Sequence, residues 1–218
     1  MGRPDGLFNR IKEVYRLEGL LPLIKRVLMY LRENFFQRET YYLFEHHIID
    51  RDETEFMPKI DDFTFKILET IQEVDELTRQ GFNFKPRATD IRIWLSMGAV
   101  AFCVFKSTEL VHIGWVVLTK KAKERIEPFP YDVNFLNNEA CTGGTWTNPH
   151  YRGKGLMGYG YFKRFQFLKE KGRFVSRNVV AVRNIASQRA HAKFHPRIYA
   201  KVRYFRFLCW KYWGEEVV

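Results

Sequence analysis

The chain has few cysteines and no long apolar segment. Only three cysteines occur in 218 residues (Cys103, Cys141 and Cys209), and no two of them form a CxxC pair. This odd, widely spaced set argues against a disulfide framework and against a structural zinc site, and it favours a reducing, cytoplasmic setting. Charged residues or prolines interrupt each apolar run before it reaches the ~18–20 residues needed to cross a bilayer.

Recognisable targeting signals are also missing. Residues 1–5 lack the apolar core and cleavage site of a signal peptide, and Gly6 stands where a myristoylation signal has Ser or Thr. A disordered chain is excluded as well, because 46% of the residues are hydrophobic and 17% are aromatic. We therefore expect one globular domain with an appended segment.

The positive charge is confined to the last third of the chain. Residues 151–218 contain 16 Lys and Arg against 3 Asp and Glu, whereas residues 1–60 are balanced and residues 61–150 are slightly acidic. Such a region is either a solvated basic face or an electrostatic funnel for a polyanion, which could be a nucleotide cofactor, a nucleic acid or an anionic membrane.

The first 38 residues are predicted to form a helical extension. Apolar side chains recur at helical spacing over residues 7–17 and again over 20–35, with Gly19 and Pro22 marking a stop and a restart. These helices could dock on a membrane surface, pack on the domain or pack on a second copy in a homodimer. Packing is favoured over membrane contact, because the apolar faces are broad and the segment is neutral overall.

Residues 39–218 are predicted to form a mixed α/β domain. Strands are predicted at 40–49, 63–68, 99–106, 110–119, 138–147, 174–182 and, as two strands or one bent strand, 197–212. Helices are predicted at 70–80, 89–97, 153–171 and 184–194, and the charged run 120–127 before Pro128 is predicted to be a surface loop. The order of these elements implies one βαβ crossover in the C-terminal half.

A basic, glycine-dense turn at residues 151–160 opens one of the predicted helices. Glycines let several backbone N–H groups converge, and a helix N-terminus adds about half a positive charge, so this arrangement favours a phosphate-bearing ligand. The turn lacks the spacing of a P-loop and stands too late in the chain for a Rossmann turn. Its context is Pro149-x-Tyr151-Arg152-Gly153-Lys154-Gly155-Leu156, followed after a helix and a strand by Asn184-x-x-Ser187-x-x-x-His191-x-Lys193-Phe194.

Across residues 138–195 these motifs resemble the GNAT superfamily of acyl-CoA-dependent N-acyltransferases. The resemblance implies a central, mostly antiparallel twisted sheet with helices on both faces, and acetyl-CoA or another acyl-CoA as co-substrate. The backbone of residues 152–157 would hold the pyrophosphate, residues 145–147 would pair with the pantetheine arm and Asn184 would bind near the thiol end. The implied cofactor-binding residues are Thr145, Trp146, Thr147, Arg152, Gly153, Lys154, Gly155, Leu156, Met157, Asn184 and Ser187.

Two residues are predicted to be catalytic. Glu139 is inferred from its position in a strand, and His191 departs from the family pattern. Glu139 is the only carboxylate in strand 138–147, where family members often place the base that deprotonates the amine. His191 stands where the family often has the tyrosine that protonates the leaving thiolate, and an imidazolium is a competent acid. Met157 and Phe194-His195-Pro196 also replace the usual family residues.

The sequence thus predicts a cytoplasmic acyltransferase that acetylates the amine of a small acceptor, such as an amino sugar, by direct attack. One alternative is a non-catalytic module that binds a polyanion, although a nucleic-acid partner is not favoured. The other is a membrane-docked acyltransferase for longer acyl chains. No metal is expected, because the adjacent His46 and His47 point to opposite faces of a strand and cannot easily chelate one ion.

Overall fold

The computed structural model describes Leu21 and residues 36–218, in two compact units. The larger unit comprises residues 41–201 and 216–218, and the described part of the smaller one comprises Leu21 and residues 36–40 and 202–215. The helices predicted at 7–17 and 20–35 lie outside the described residues, except for Leu21, which is helical. The 1–38 extension therefore stays a prediction.

The secondary structure follows the predicted order closely. The strands are β1 (Phe36–His47), β2 (Phe63–Leu68), β3 (Ala99–Lys106), β4 (Glu109–Val117), β5 (Glu139–Thr147), β6 (Val175–Ala181), β7 (Arg197–Phe207) and β8 (Trp210–Val217). The α-helices are α1 (Ile71–Arg79), α2 (Ala88–Leu95), α3 (Lys120–Ile126), α4 (Leu156–Glu170) and α5 (Ile185–Ala192).

The larger unit is built on a mixed sheet with the strand order β2-β3-β4-β5-β6-β1-β7. The pairs β2–β3, β3–β4, β4–β5 and β6–β1 are antiparallel, whereas β5 and β6, which α4 connects, are parallel. Neighbouring residues of β4 point to opposite faces of the sheet: Trp115 packs on Trp94 of α2, and Gly114 lies under Arg164 of α4. The predicted mixed sheet with helices on both faces is confirmed.

The core lies between α4 and the middle strands. Four apolar side chains of this helix are buried at helical spacing: Leu156, Phe162, Phe165 and Leu168. Phe165 and Leu168 pack with Phe102 of β3 in one apolar cluster. In the smaller unit, the end of β7 and β8 carry an aromatic group in which Phe205 contacts Phe36 and Trp210 at centroid distances of 5.1 and 5.5 Å.

The predicted surface loop at 120–127 is wrong, because residues 120–126 form α3. The Thr119 side chain caps the helix by accepting a hydrogen bond from the Ala122 N–H. Ala122 and Ile126 are four residues apart and both buried, and their apolar stripe outweighs the charged neighbours that suggested a loop. The helix ends just before Pro128, and it delivers Glu127 to the sheet.

Among the residues that the structure describes, no helix is long and apolar enough to cross a membrane.

Candidate functional site

The two parallel strands β5 and β6 separate after three paired residues. Their ladder runs only from Glu139 to Cys141 of β5, and beyond it β5 pairs with β4 alone while β6 pairs with β1. A cavity of about 970 Å³ lies at this opening. Its lining includes Gly143–Thr147 of β5, Arg152–Gly153 and Gly155–Gly158 at the start of α4, Asn178–Val180 of β6 and several residues of α5.

A bulge in β5 shapes the middle of the cavity. Ile113 pairs with Trp146 but Trp115 pairs with Gly143, so β5 has one residue more than β4 here. Gly144 absorbs it with a φ of 58°, and a Cβ at Gly144 would lie 2.7 Å from the Trp94 ring. As a result Gly143 faces Glu127, whereas Thr145 faces Arg164 of α4. Residues that point to opposite faces of the sheet therefore both line the cavity.

The glycine-dense turn forms the N-terminal end of α4. Gly153 and Gly155 have φ values of 76° and 83°, a left-handed conformation in which side chains other than glycine are strained. The Lys59 N–H donates to the Lys154 carbonyl at 2.8 Å and fixes the turn. The first N–H groups of an α-helix have no intrahelical acceptor, and those of α4 open towards the cavity. This end of the cavity is suited to an anion.

Cationic side chains surround the same region. Arg87, Arg152, Arg189 and Lys193 line the cavity, and Arg152 Nε donates to the Thr147 carbonyl at 3.4 Å. Lys154 does not line the cavity, and its Nζ lies 5.5 Å from the centre of the Tyr151 ring.

Asn184 and Ser187 lie at the start of α5, on the cavity wall. The Asn184 Oδ1 accepts a hydrogen bond from the Ser187 N–H at 3.1 Å, so this asparagine caps the helix.

His191 lines the cavity, but its imidazole is held on both sides. Its Nδ1 lies 2.9 Å from His46 Nε2, and its Nε2 lies 3.0 Å from Asn178 Nδ2. Burial, followed by the neighbouring His46 and Arg164, lowers the pKa of His191 well below its usual value. A lowered pKa favours the neutral ring near pH 7, whereas the role predicted from the sequence needs the imidazolium.

The carboxyl group on the cavity wall is that of Glu127. It accepts a hydrogen bond from the Gly144 N–H, and its Oε2 is buried with no hydrogen-bond partner in the described chain. Burial raises the pKa of Glu127 to about 8, against the lowering effects of Gly144 and Lys123. A carboxyl that titrates near pH 8 can accept a proton from an amine at slightly alkaline pH.

Glu139, the base predicted from the sequence, lies outside the cavity lining. It forms an ion pair with Arg177 at 2.9 Å and accepts a hydrogen bond from the Asn134 N–H at 2.7 Å. These contacts stabilise the start of β5 and hold the Glu139 carboxylate away from the cavity.

The structure brings most of the predicted site residues to one cavity. Those that line it are Thr145, Trp146, Thr147, Arg152, Gly153, Gly155, Leu156, Met157, Asn184, Ser187 and His191. Sequence reasoning missed Glu127 and Tyr161, which also line it. Glu127 was missed because its segment was predicted to be a surface loop. Tyr161 was missed because it lies among apolar residues of a helix, where an aromatic residue indicates only core packing.

Within the described residues, no group of three or more His, Cys, Asp or Glu is arranged to hold a metal ion.

Solved structures share this fold. A GNAT-family acetyltransferase from Colwellia psychrerythraea superposes with a TM-score of 0.50 at 14% identity, over 84% of this chain and 61% of that one. A GCN5-related glucosamine N-acetyltransferase region of a fungal multi-domain β-N-acetylglucosaminidase gives a TM-score of 0.53 at 11% identity, over 87% of this chain and 23% of that one. No protein-family model and no curated protein sequence matches the chain. The protein has the fold of the GCN5-related N-acetyltransferases, as the motifs predicted.

Proposed function

We propose that the protein is an acyl-CoA-dependent N-acyltransferase that transfers an acetyl group from acetyl-CoA to the amine of a small acceptor. The observation that carries the proposal is the continuous cavity between the separated strands β5 and β6, with the glycine turn of α4 at one end and Glu127 on its wall. The GNAT fold supports the reaction class. A reducing, cytoplasmic location is part of the proposal, and the three cysteines are free thiols.

In this proposal the anionic end of coenzyme A binds at the start of α4. The helix N–H groups, Arg152 and Lys193 supply donors and positive charge there. Beyond the bulge, β5 lacks a partner on its β6 side, so its backbone groups can pair with the extended pantetheine arm. The basic last third of the chain attracts the cofactor before it binds.

Glu127 then acts as the base for the acceptor. As a carboxylate it takes a proton from the amine, whose nitrogen attacks the thioester carbonyl. The acceptor lies near Glu127, where Trp94, Trp146 and Arg87 also line the cavity. An amino sugar suits such a wall, because aromatic rings pack on sugar faces while Arg87 can donate hydrogen bonds to hydroxyl groups. Glucosamine is the first acceptor to test, since the fungal structure that shares the fold is named for it.

The rate of coenzyme A release with acetyl-CoA and a panel of amino sugars tests this function, and two carboxyl variants make it specific. Glu127→Gln keeps the shape and should lower kcat by ~10²–10⁴, the usual contribution of a general base. Glu139→Gln alters the ion pair with Arg177 and should leave kcat within a few-fold. If Glu139→Gln abolishes turnover while Glu127→Gln does not, Glu127 is not the base.

A further inference from the structure

Arg87 is a cation of the cavity wall that the proposed coenzyme A site does not use. Among the described residues that line the cavity, four are Arg or Lys and Glu127 is the one carboxylic acid. Arg152, Arg189 and Lys193 lie at the glycine turn and at α5, on the side where the proposal above places the cofactor. Arg87 instead directly precedes α2, which packs on the opposite face of the sheet from α4. This cation is therefore available to the acceptor.

The acceptor wall has Glu127 at one end and Arg87 at the other. Gly143 of β5 faces Glu127. Three residues further along the strand, the centre of the Trp146 ring lies 5.8 Å from Arg87 Cζ. Trp94 packs against the bulge between these two positions. Because a strand rises about 3.3 Å per residue, Glu127 and Arg87 face points of β5 that lie about 10 Å apart. One sugar ring with a substituent on each side can span that distance.

The guanidinium of Arg87 is held in place with donors to spare. Its Nη1 donates to Asp90 Oδ2 at 2.9 Å, in an i,i+3 pair at the start of α2, and Asp90 does not line the cavity. The Arg87 and Asp90 side chains are 34% and 38% exposed, so solvent screens this ion pair and Arg87 can still bind a second anion. A guanidinium carries five N–H groups, and two of them can hold one anion in a bidentate contact.

A phosphate matches this position better than a hydroxyl group does. Its charged oxygens fit the planar fork of an arginine, and such charge-assisted hydrogen bonds are the stronger ones. The place of the phosphate on the sugar matters as well. In glucosamine 6-phosphate the phosphate lies across the ring from the amine, whereas in glucosamine 1-phosphate it is on the neighbouring carbon. The separation of Glu127 and Arg87 along β5 favours the first arrangement.

We propose that the acceptor is a phosphorylated amino sugar, whose phosphate binds Arg87 while its amine reaches Glu127. The inference rests on the proposed acyltransferase function and narrows its acceptor. The sugar ring lies along the Trp94 and Trp146 side chains, with the phosphate on the far side of the ring from the amine. The phosphate also offsets the repulsion between a protonated amine and the cations of the cavity.

The rate of coenzyme A release with three acceptors tests this assignment: glucosamine, glucosamine 6-phosphate and glucosamine 1-phosphate, each at saturating acetyl-CoA. For the wild type, kcat/KM for the 6-phosphate should exceed that for glucosamine about tenfold to hundredfold, as expected for hydrogen bonds to a charged group. The 1-phosphate should gain less, because its phosphate cannot reach Arg87 while the amine lies at Glu127.

Variants of two arginines make the test specific. Arg87→Gln should bring the ratio of kcat/KM for the 6-phosphate to that for glucosamine close to one, mainly through the KM of the phosphorylated sugar. Arg87→Lys should keep part of the ratio, since an ammonium group retains the charge but not the bidentate contact. Arg92→Gln is the matched control. It removes one positive charge from the same region, but Arg92 pairs with Asp75 and does not line the cavity, so the ratio should stay as in the wild type.

Each outcome bears on the proposal. Turnover of glucosamine without a gain from either phosphate overturns it and leaves the acyltransferase function standing. A preference for the 1-phosphate, or an unchanged ratio in Arg87→Gln, also overturns it. A raised KM for acetyl-CoA in Arg87→Gln with the ratio unchanged would assign Arg87 to the cofactor. If no sugar is turned over, the phosphorylated acceptor is ruled out, and calorimetric titration of acetyl-CoA into the same protein decides whether the acyltransferase function falls with it.

Discussion

At the scale of single residues, the site depends on polar groups buried where water cannot stabilise their charges. Glu127 shows the effect most clearly, because the Gly144 N–H is the main partner of its carboxyl and Lys123 compensates only part of the burial. Lys123 itself donates to the Phe129 carbonyl at 2.6 Å and lies 3.9 Å from the centre of the Tyr131 ring. The pKa of about 8 that suits Glu127 to be a base therefore comes at a cost in stability.

That cost predicts a pH-dependent stability that Glu127→Gln removes. In the unfolded chain this carboxyl ionises near its usual pKa of 4.5, whereas in the folded protein it holds its proton up to about pH 8. The folded state is therefore progressively disfavoured between these two values, and the loss is constant above pH 8. It amounts to a few kcal/mol at most, since each pH unit of difference is worth ~1.4 kcal/mol.

Thermal unfolding at several pH values measures this effect. The Tm of the wild type should fall relative to that of Glu127→Gln as the pH rises from 5 to 8, and the two curves should run parallel above that. Curves that are parallel throughout would show that Glu127 titrates normally, and its proposed role as a base near neutrality would fail.

At the scale of elements, α4 carries the glycine turn and Tyr161 of the cavity wall, and it packs closely on β4. Gly160 provides the close approach, because a Cβ there would lie 2.5 Å from His112 Nε2. His112 is completely buried, and its Nδ1 lies 2.8 Å from Thr147 Oγ1 at the cavity wall. His112 therefore contacts both α4 and Thr147 of the cavity wall.

This contact predicts different outcomes for alanine at two glycines of the same helix. Gly160→Ala forces His112 or the helix to move and should lower the free energy of unfolding by ~1–3 kcal/mol. A Cβ at Gly158 would meet Lys193 at 3.8 Å and Phe56 at 4.0 Å, which are ordinary contact distances. Gly158→Ala should therefore be neutral or stabilising by up to ~1 kcal/mol, since alanine favours a helix over glycine. Urea unfolding of both variants is the measurement; equal stabilities would mean that α4 does not pack on His112 as described.

Local patterns were sufficient to predict most of these elements. The spacing of Leu156, Phe165 and Leu168 indicates the buried face of α4, and the β-branched and aromatic runs indicate the strands. The charges of residues 120–127 masked the two buried apolar residues of α3, Ala122 and Ile126, so a loop was predicted where the structure has a helix. Two apolar residues stabilise this helix in the folded protein, but in the sequence they are too few to predict a helix among charged neighbours.

At the scale of the whole molecule, the fold and the cofactor end of the site were predictable because two motifs close in sequence encode them, residues 149–156 and 184–194. The turn at 151–156 and the residues of α5 lie in one stretch of the chain. The proposed base was not predictable, since Glu127 reaches the cavity only through the bulge at Gly144, which depends on pairing between β4 and β5. Tyr161 likewise gains its setting from Asn178 of β6 and the buried Arg164.

The measurement that tests the account most directly is calorimetric titration of acetyl-CoA into wild type, Gly158→Ala and Gly158→Glu. Gly158 lines the cavity in the first turn of α4 and has ordinary space for a Cβ, whereas Gly155, with a φ of 83°, would be strained by any side chain. A glutamate at 158 fits the helix start but opposes the pyrophosphate and neutralises Lys193.

We expect saturable binding by wild type and Gly158→Ala, and an affinity about tenfold or more weaker for Gly158→Glu, which corresponds to the loss of one charge-assisted hydrogen bond. No binding by folded wild-type protein, or equal binding by Gly158→Glu, would contradict the placement of coenzyme A at the start of α4.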